Sequence, residues 1–231
     1  MTESRPFGEV RLVEDVAAEF ARLFSGLLAE AAGRPDGRFR IALSGGQTAR
    51  LCYERLATGD LAWSDIECFF GDERCVDPRS GDANQQLVRE ALGVHTAELG
   101  AFRPMDCDDP DGYERLLASA PTLDLIHLGL GPDGHTASLF AHSTGLEAPK
   151  GHLVVRNTDP AGRNPHDRLT LTLAAIARFA TAVFTVAGVE KHEAFRRICA
   201  GEDLPASRVR AGRVIWLCDH RALTGGSDSI G

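Results

Sequence analysis

Apolar residues recur along this chain in two rhythms. From Asp15 to Ala32 they fall at three-and-four spacing, with Val16, Phe20, Leu23, Phe24, Leu27 and Leu28 on one side. That predicts an amphipathic helix capped by Asp15 and stopped by "RPDG". Short apolar runs predict strands: "EVRLVE" before this helix, "FRIALS" after it, then "DIECFF", "LDLIHLGL", "HLVV", "RLTLTL", "TAVFTVAG" and "RVIWLC". Helical spacing returns in "ARLCYERLA", "QQLVREAL", "DGYERLLASA" and "EKHEAFRRICA", and "TASLF" is expected to open a further helix.

Strand, polar loop, helix is the repeating scheme. The expected fold class is therefore α/β: a mostly parallel, doubly wound (modified Rossmann-like) sheet with helices on both faces. Residues 1–223 read as a single domain and 224–231, "TGGSDSIG", as a flexible tail. In such sheets ligands collect at the carboxyl ends of the strands, so the polar loops there are where chemistry is expected.

Composition narrows the partners. A net charge of −8 with no basic run argues against nucleic acid and against an anionic membrane surface. An anionic ligand must then be held by a few placed cations and backbone amides. The six cysteines, Cys52, Cys68, Cys75, Cys107, Cys199 and Cys218, form no C-x-x-C pair and read as reduced thiols of a cytoplasmic protein. No signal-peptide pattern and no membrane-length apolar run is present.

Three loops carry candidate chemistry. "SGGQT", Ser44 to Thr48, follows a strand and precedes a helix, so Gly45, Gly46 and Gln47 could present N–H groups to a phosphate. It matches neither the dinucleotide nor the P-loop pattern, and a plain turn also explains it. "GDERCVDPRSGDAN" sets Asp72, Glu73 and Arg74 at a strand end, able to bind polar groups or stabilise developing charge; a solvated ion pair is the bland alternative. "GLGPDGHTASLF" combines glycines with Asp133, a cap or acceptor, and His135, a side chain suited to take a proton from water. His127, inside an apolar strand, reads as a core histidine, and His142, His152, His166 and His192 as surface residues. Arg168 opens the strand "RLTLTL", and Lys191 sits in the first turn of a helix, where it opposes the dipole and invites an anion, unless it merely faces solvent.

Taken together and in this order, "LSGGQT", "FFGDERCV", "GLGPDGHTASLF", "RLTLT" and "VAGVEKHEAF" resemble the 6-phosphogluconolactonase family across nearly the whole chain. "LPAS" near Leu204 and the "D" and "AL" after the last strand look like the family's ending. The Gly-x-Asp-Gly-His segment is shared with the glucosamine-6-phosphate deaminases, whose histidine is followed by Ile-Ala-Phe-Asn-Glu. Here Thr136, Ala137, Ser138, Leu139 and Phe140 follow, the lactonase form, and Arg74 stands where the deaminases tend to have tyrosine. Three positions depart from the family: no proline follows Thr48, Ala141 replaces a common proline, and "GDA" rather than a serine precedes Asn84, which puts that residue's role in doubt.

The resemblance implies hydrolysis of 6-phospho-D-glucono-1,5-lactone to 6-phosphogluconate, a step of the oxidative pentose phosphate pathway, by a cytoplasmic enzyme. It implies His135 as general base for the attacking water, Arg74 as stabiliser of the oxyanion and Asp72 as the residue orienting its neighbours. Ser44, Gly45, Gly46, Gln47, Thr48, Asn84, Asp133, Arg168 and Lys191 are the implied substrate-binding residues. No cofactor and no metal are expected, no covalent intermediate forms, and the protein is expected to be a monomer or small homo-oligomer. Two rival readings stand beside this one: a deaminase-like sugar-phosphate isomerase, and a non-catalytic sugar-phosphate-binding module.

Overall fold

The chain opens with a short strand β1 (Thr2–Arg5), then β2 (Gly8–Leu12) and the helix α1 (Val16–Ala32). The computed structural model describes residues 2–5 and 7–226. It continues with β3 (Phe39–Leu43), α2 (Gln47–Ala57), β4 (Ile66–Phe70), β5 (Asp72–Arg74), α3 (Asn84–Leu92), β6 (Ala101–Phe102), α4 (Pro110–Ser119) and β7 (Leu125–Gly129). The second half holds β8 (Val154–Asn157), β9 (Arg168–Leu171), the single turn α5 (Leu173–Ile176), β10 (Thr181–Val186), α6 (His192–Cys199), β11 (Arg213–Cys218) and α7 (His220–Thr224).

Eight strands pair in the order β1-β2-β11-β10-β7-β3-β4-β6. All neighbours are parallel except β1 with β2, because helix-bearing crossovers return the chain to the same end of the sheet each time. β3 and β10 are buried along their whole length, which is why they read as unbroken apolar runs rather than alternating ones.

α1 forms as its spacing predicts. Asp15 Oδ1 accepts the Ala18 N–H at 2.9 Å, and Val16, Phe20, Phe24, Leu28 and Ala31 are buried. Each such phenylalanine contributes roughly 2–3 kcal/mol of apolar burial. The Phe20 ring lies 4.2 Å from that of His127, which stands level with Val183 in the sheet. One position on, Phe184 is level with Leu128 and Trp216, and Trp216 meets Phe195 of α6. Side chains alternate along a strand, so α1 and α6 cover opposite faces, the doubly wound arrangement expected from the pattern.

From β3 the sheet grows outward to β4 and β6, then returns to β7 and grows the other way through β10 and β11. The order thus reverses between β3 and β7. The loops leaving those two carboxyl ends diverge, and the crevice between them is where doubly wound sheets bind ligands.

Four expectations need correction. β8 and β9 do not join the parallel sheet; with β5 they form a separate three-stranded antiparallel sheet, since no helix connects β8 to β9 and a direct return must be antiparallel. "TASLF" is a turn, not a helix: Thr136 pairs with Leu139, and Ala137 takes a left-handed φ of 47°. Its hydroxyls are committed elsewhere, Thr136 to Gly129 O and Ser138 to Asp72, and such side-chain bonds compete with helix formation. "EVRLVE" is a strand only as far as Leu12.

The fourth concerns the thiols. Cys75 and Cys107 are joined in a disulfide, their Cα atoms 5.6 Å apart though 32 positions separate them in sequence. The loop after β5 and the loop before α4 meet only in the tertiary fold, so no spacing rule could reveal the pair. The other four cysteines form no disulfide among the described residues; burial pushes Cys52 and Cys68 up to about 12 and makes them inert as nucleophiles. The expected tail begins on the last residue of α7, and residues 227–231 lie outside the described residues. Among the described residues, no helix is long and apolar enough to cross a membrane.

Candidate active site

The crevice beyond β3 and β7 holds a cleft of about 190 Å³. Ten residues singled out in the sequence line it: Ser44, Gly45, Gly46, Gln47 and Thr48 on one side, Asp72, Arg74 and Asn84 on a second, His135 and Lys191 on a third. Three others do not: Asp133 is bonded to His135, Arg168 neighbours Arg74, and Glu73 turns toward α3.

The glycine loop leads into α2, which has no side-chain cap at its amino end. Its first N–H groups are left for a ligand, and the helix dipole favours an anion there. Ser44 holds the loop in place rather than facing outward: its N–H donates to Tyr53 Oη at 2.8 Å, and its hydroxyl donates to His127 O. Gly45 passes Asn84 so closely that a Cβ would fall 1.9 Å from Asn84 Oδ1.

Asn84 opens α3. Its Nδ2 donates to Asp72 O at 2.8 Å and to Asp72 Oδ1 at 3.2 Å, while its buried Oδ1 has no hydrogen-bond partner among the described residues. Glu73 points the other way and caps the same helix, accepting from Asn84 N at 2.6 Å and Gln85 N at 2.8 Å. Burial raises the Glu73 carboxyl above the ordinary range, and these backbone donors offset only part of that. Asp72 also accepts from Ser138 Oγ at 2.5 Å. Arg74 is anchored by Nη1 donating to Asp82 O at 2.6 Å, leaving its other N–H groups available.

Arg168 pairs with Arg74 in the β5–β9 ladder and is 5% exposed. Its Nε and Nη1 have no hydrogen-bond partner among the described residues. Burial, then the neighbouring Arg74, lowers its affinity for the proton, against the pull of Asp72, Glu73 and Asp159.

His135 and Asp133 form a pair. Asp133 Oδ1 lies 2.5 Å from His135 Nδ1 and also accepts the His135 N–H at 3.2 Å. Burial alone would raise the Asp133 carboxyl, but the hydrogen bonds and charge of His135, with Arg163, hold it well below the usual carboxylate range. An ionised carboxylate can only accept, so Nδ1 carries a ring proton, and in the neutral tautomer this fixes, the lone pair is on Nε2. Gly134, at φ 88°, makes the turn between them: a Cβ there would meet the Leu204 side chain at 2.7 Å. Ala206 N donates to Gly134 O at 3.0 Å, so the distant "LPAS" segment clamps this turn.

Sequence reasoning missed the cleft's floor. Thr185 of β10 lines it and bonds His127 Nε2 at 2.8 Å, whose Nδ1 meets Tyr53 Oη at 2.9 Å. Burial drives His127 down to about 3, so it is a neutral core histidine, as its place in an apolar strand suggested. His142 and His152 are exposed, while His166 and His192 are half-buried. Thr136 and Ala137 also line the cleft, and only the turn that replaced the expected helix brings them there. Among the described residues, no group of three histidine, cysteine or acidic side chains is arranged to hold a metal ion.

The arrangement offers a base with a fixed tautomer, an arginine beside it, and an open helix end with a lysine for an anion. Comparisons with known proteins show what the chain is similar to. The profile of the family described as glucosamine-6-phosphate isomerases/6-phosphogluconolactonase matches residues 11–216. A 6-phosphogluconolactonase of Synechocystis is 38% identical over 208 residues, covering 80% of this chain and 84% of its own. That of Mycobacterium tuberculosis is 34% identical over 90% of this chain and 92% of its own. The crystal structure of the Thermotoga maritima 6-phosphogluconolactonase superposes with a TM-score of 0.79 at 29% identity, covering 91% of this chain and 98% of that one.

Proposed function

Because the chain belongs to the glucosamine-6-phosphate isomerase/6-phosphogluconolactonase family, we propose that it hydrolyses 6-phospho-D-glucono-1,5-lactone to 6-phosphogluconate. The observation that carries the reading is the Asp133–His135 pair at the edge of a cationic cleft. With Nδ1–H committed to Asp133, His135 Nε2 takes a proton from water as that water attacks C1. Arg74 stabilises the oxyanion that forms on the carbonyl oxygen, and Asp72 keeps the surrounding donors in register. When the tetrahedral intermediate collapses, the C1–O5 bond breaks and His135 returns its proton to the departing ring oxygen.

The phosphate is held at the amino end of α2 by the Gly45–Thr48 loop, with Lys191 as its contacting cation and the buried Arg168, beside Arg74, adding positive charge. That remote grip positions C1 for attack, so its energy is expressed in rate as well as in binding. Asp133 acts through His135 rather than on the sugar.

The deaminase reading has the same fold behind it: a monomeric glucosamine-6-phosphate deaminase superposes with a TM-score of 0.78, though at 18% identity. What separates the two is local. Ser138 stands three residues after His135 and is spent on Asp72, and no acidic residue follows the histidine where deaminase chemistry uses one.

Purified protein should accelerate lactone loss above the spontaneous rate and release no ammonia from glucosamine 6-phosphate. His135→Ala should lower kcat strongly with the fold intact, whereas Lys191→Ala should mainly raise KM. Wild-type turnover by His135→Ala would reject the base assignment, and binding of 6-phosphogluconate without any lactone turnover would favour a binding module.

A further inference from the structure

We propose that Arg163 is a positioning residue that favours the neutral form of His135 by sharing the Asp133 carboxylate with it, and so tunes the pH at which the base works. The inference rests on the reading of His135 as the base. Asp133 has two oxygens with two jobs: Oδ1 takes the His135 Nδ1–H at 2.5 Å, and Oδ2 meets Arg163 Nη2 at 3.1 Å. A carboxylate held alone against an imidazole favours the imidazolium, which has no lone pair to offer water. A guanidinium on the other oxygen offsets that charge while leaving the hydrogen bond that orients the ring.

Arg163 is delivered to this place by a loop built independently of its side chain. Asp159 Oδ2 accepts the N–H groups of Arg163 and Asn164, each at 3.1 Å, and Asn164 Nδ2 at 2.8 Å; its Oδ1 accepts Ala161 N at 2.9 Å. Substitution of the Arg163 side chain therefore leaves the loop's backbone bonds in place.

A second cavity, of about 240 Å³, lies on this side of His135, lined by Pro132, Asp133, His135, Arg163 and Asn164. The histidine thus borders two cavities: the substrate cleft, and one shared with Arg163. The other charged groups lining the cleft with His135 are Asp72 and Arg74 from β5 and Lys191 at the start of α6, with Arg168 beside Arg74 in the ladder. Those belong to the substrate side and are unchanged by a substitution at Arg163. Since Arg163 is 59% exposed, its influence is moderate and screened by salt.

The test is an NMR titration of the His135 ring in wild type, Arg163→Gln and Arg163→Lys, beside the pH dependence of kcat/KM. In Arg163→Gln the His135 midpoint should rise by roughly half a pH unit, as expected for the loss of one partly exposed charge. The acid limb of kcat/KM should move with it. Arg163→Lys should stay near wild type, and 0.5 M salt should shrink the difference. A His135 midpoint unmoved in Arg163→Gln, or moved equally in Arg163→Lys, would overturn the proposal. The NMR midpoint reports on Arg163 whatever the activity, so full turnover by His135→Ala would sink the base assignment separately.

Discussion

The Ser138 hydroxyl donates to Asp72 Oδ2 at 2.5 Å, joining a turn to a strand 66 positions away. One end belongs to the segment that follows the histidine and distinguishes this branch of the family. The other belongs to the strand that carries Arg74. His135 and Arg74 are therefore held in one frame by a bond neither of them makes.

Removing that bond should loosen the frame without dissolving it, because Asn84 Nδ2 still reaches Asp72. A hydrogen bond to a charged acceptor is worth about 1.5–3 kcal/mol. Ser138→Ala should lower kcat/KM by roughly ten- to a hundredfold while the protein remains folded. Steady-state kinetics with circular dichroism on the same sample would check this, and unchanged kcat/KM would remove Ser138 from the site's support.

Gly45→Ala should raise KM for the lactone at least several-fold. The new methyl has to displace Asn84 Oδ1, and Asn84 cannot swing away freely because its Nδ2 is tied to Asp72. In Asn84→Ala the obstruction disappears, so the two substitutions together should cost less than the sum of each alone. A double-mutant cycle on KM reads this coupling, and strict additivity would mean that the close approach does not shape the loop.

His127 makes stability depend on pH. Its folded value, about 3, is below the unfolded one, so the unfolded chain binds an extra proton as pH falls through the ordinary histidine range. Its contribution is present above about pH 6.5 and is lost at about 1.4 kcal/mol per pH unit toward pH 3. Urea unfolding at pH 7, 6 and 5 should show this slope, and His127→Gln, though less stable, should lack that part of it.

Cys75→Ser should destabilise the protein by up to about 4 kcal/mol, the chain-entropy estimate for closing a loop of 32 residues. Because Cys75 follows Arg74, some loss of kcat should accompany it. Unfolding with and without a dithiol reductant would test the same link in the wild type, and an identical midpoint under both conditions would show that the bond contributes no stability.

Local pattern was enough for most of the framework. The helix capped by Asp15, the buried runs of β3 and β10, and the neutral core His127 follow from spacing and composition, since each depends on neighbours within a turn or a strand. The candidate site was legible for a different reason. Loops at the carboxyl ends of the strands in a doubly wound sheet border one crevice, so Ser44–Thr48, Asp72, Arg74 and His135 group together from the sequence alone. Where reading failed, distant atoms decided. "TASLF" has helical residues, but hydroxyls bound to Gly129 and Asp72 give its backbone a better alternative than a helix.

The sequence by itself thus determined the class of fold, the family and the loops that form the cleft, because periodicity, turn chemistry and motif order are properties of neighbouring residues. Only the tertiary structure decided that Asp133 stands behind His135 with Arg163 on its far oxygen, that Arg168 lies buried against Arg74, and that Cys75 meets Cys107. Those relationships depend on distances of a few ångströms between segments whose separation along the chain carries no information about them. Burial and charge at such meetings set what each group can do.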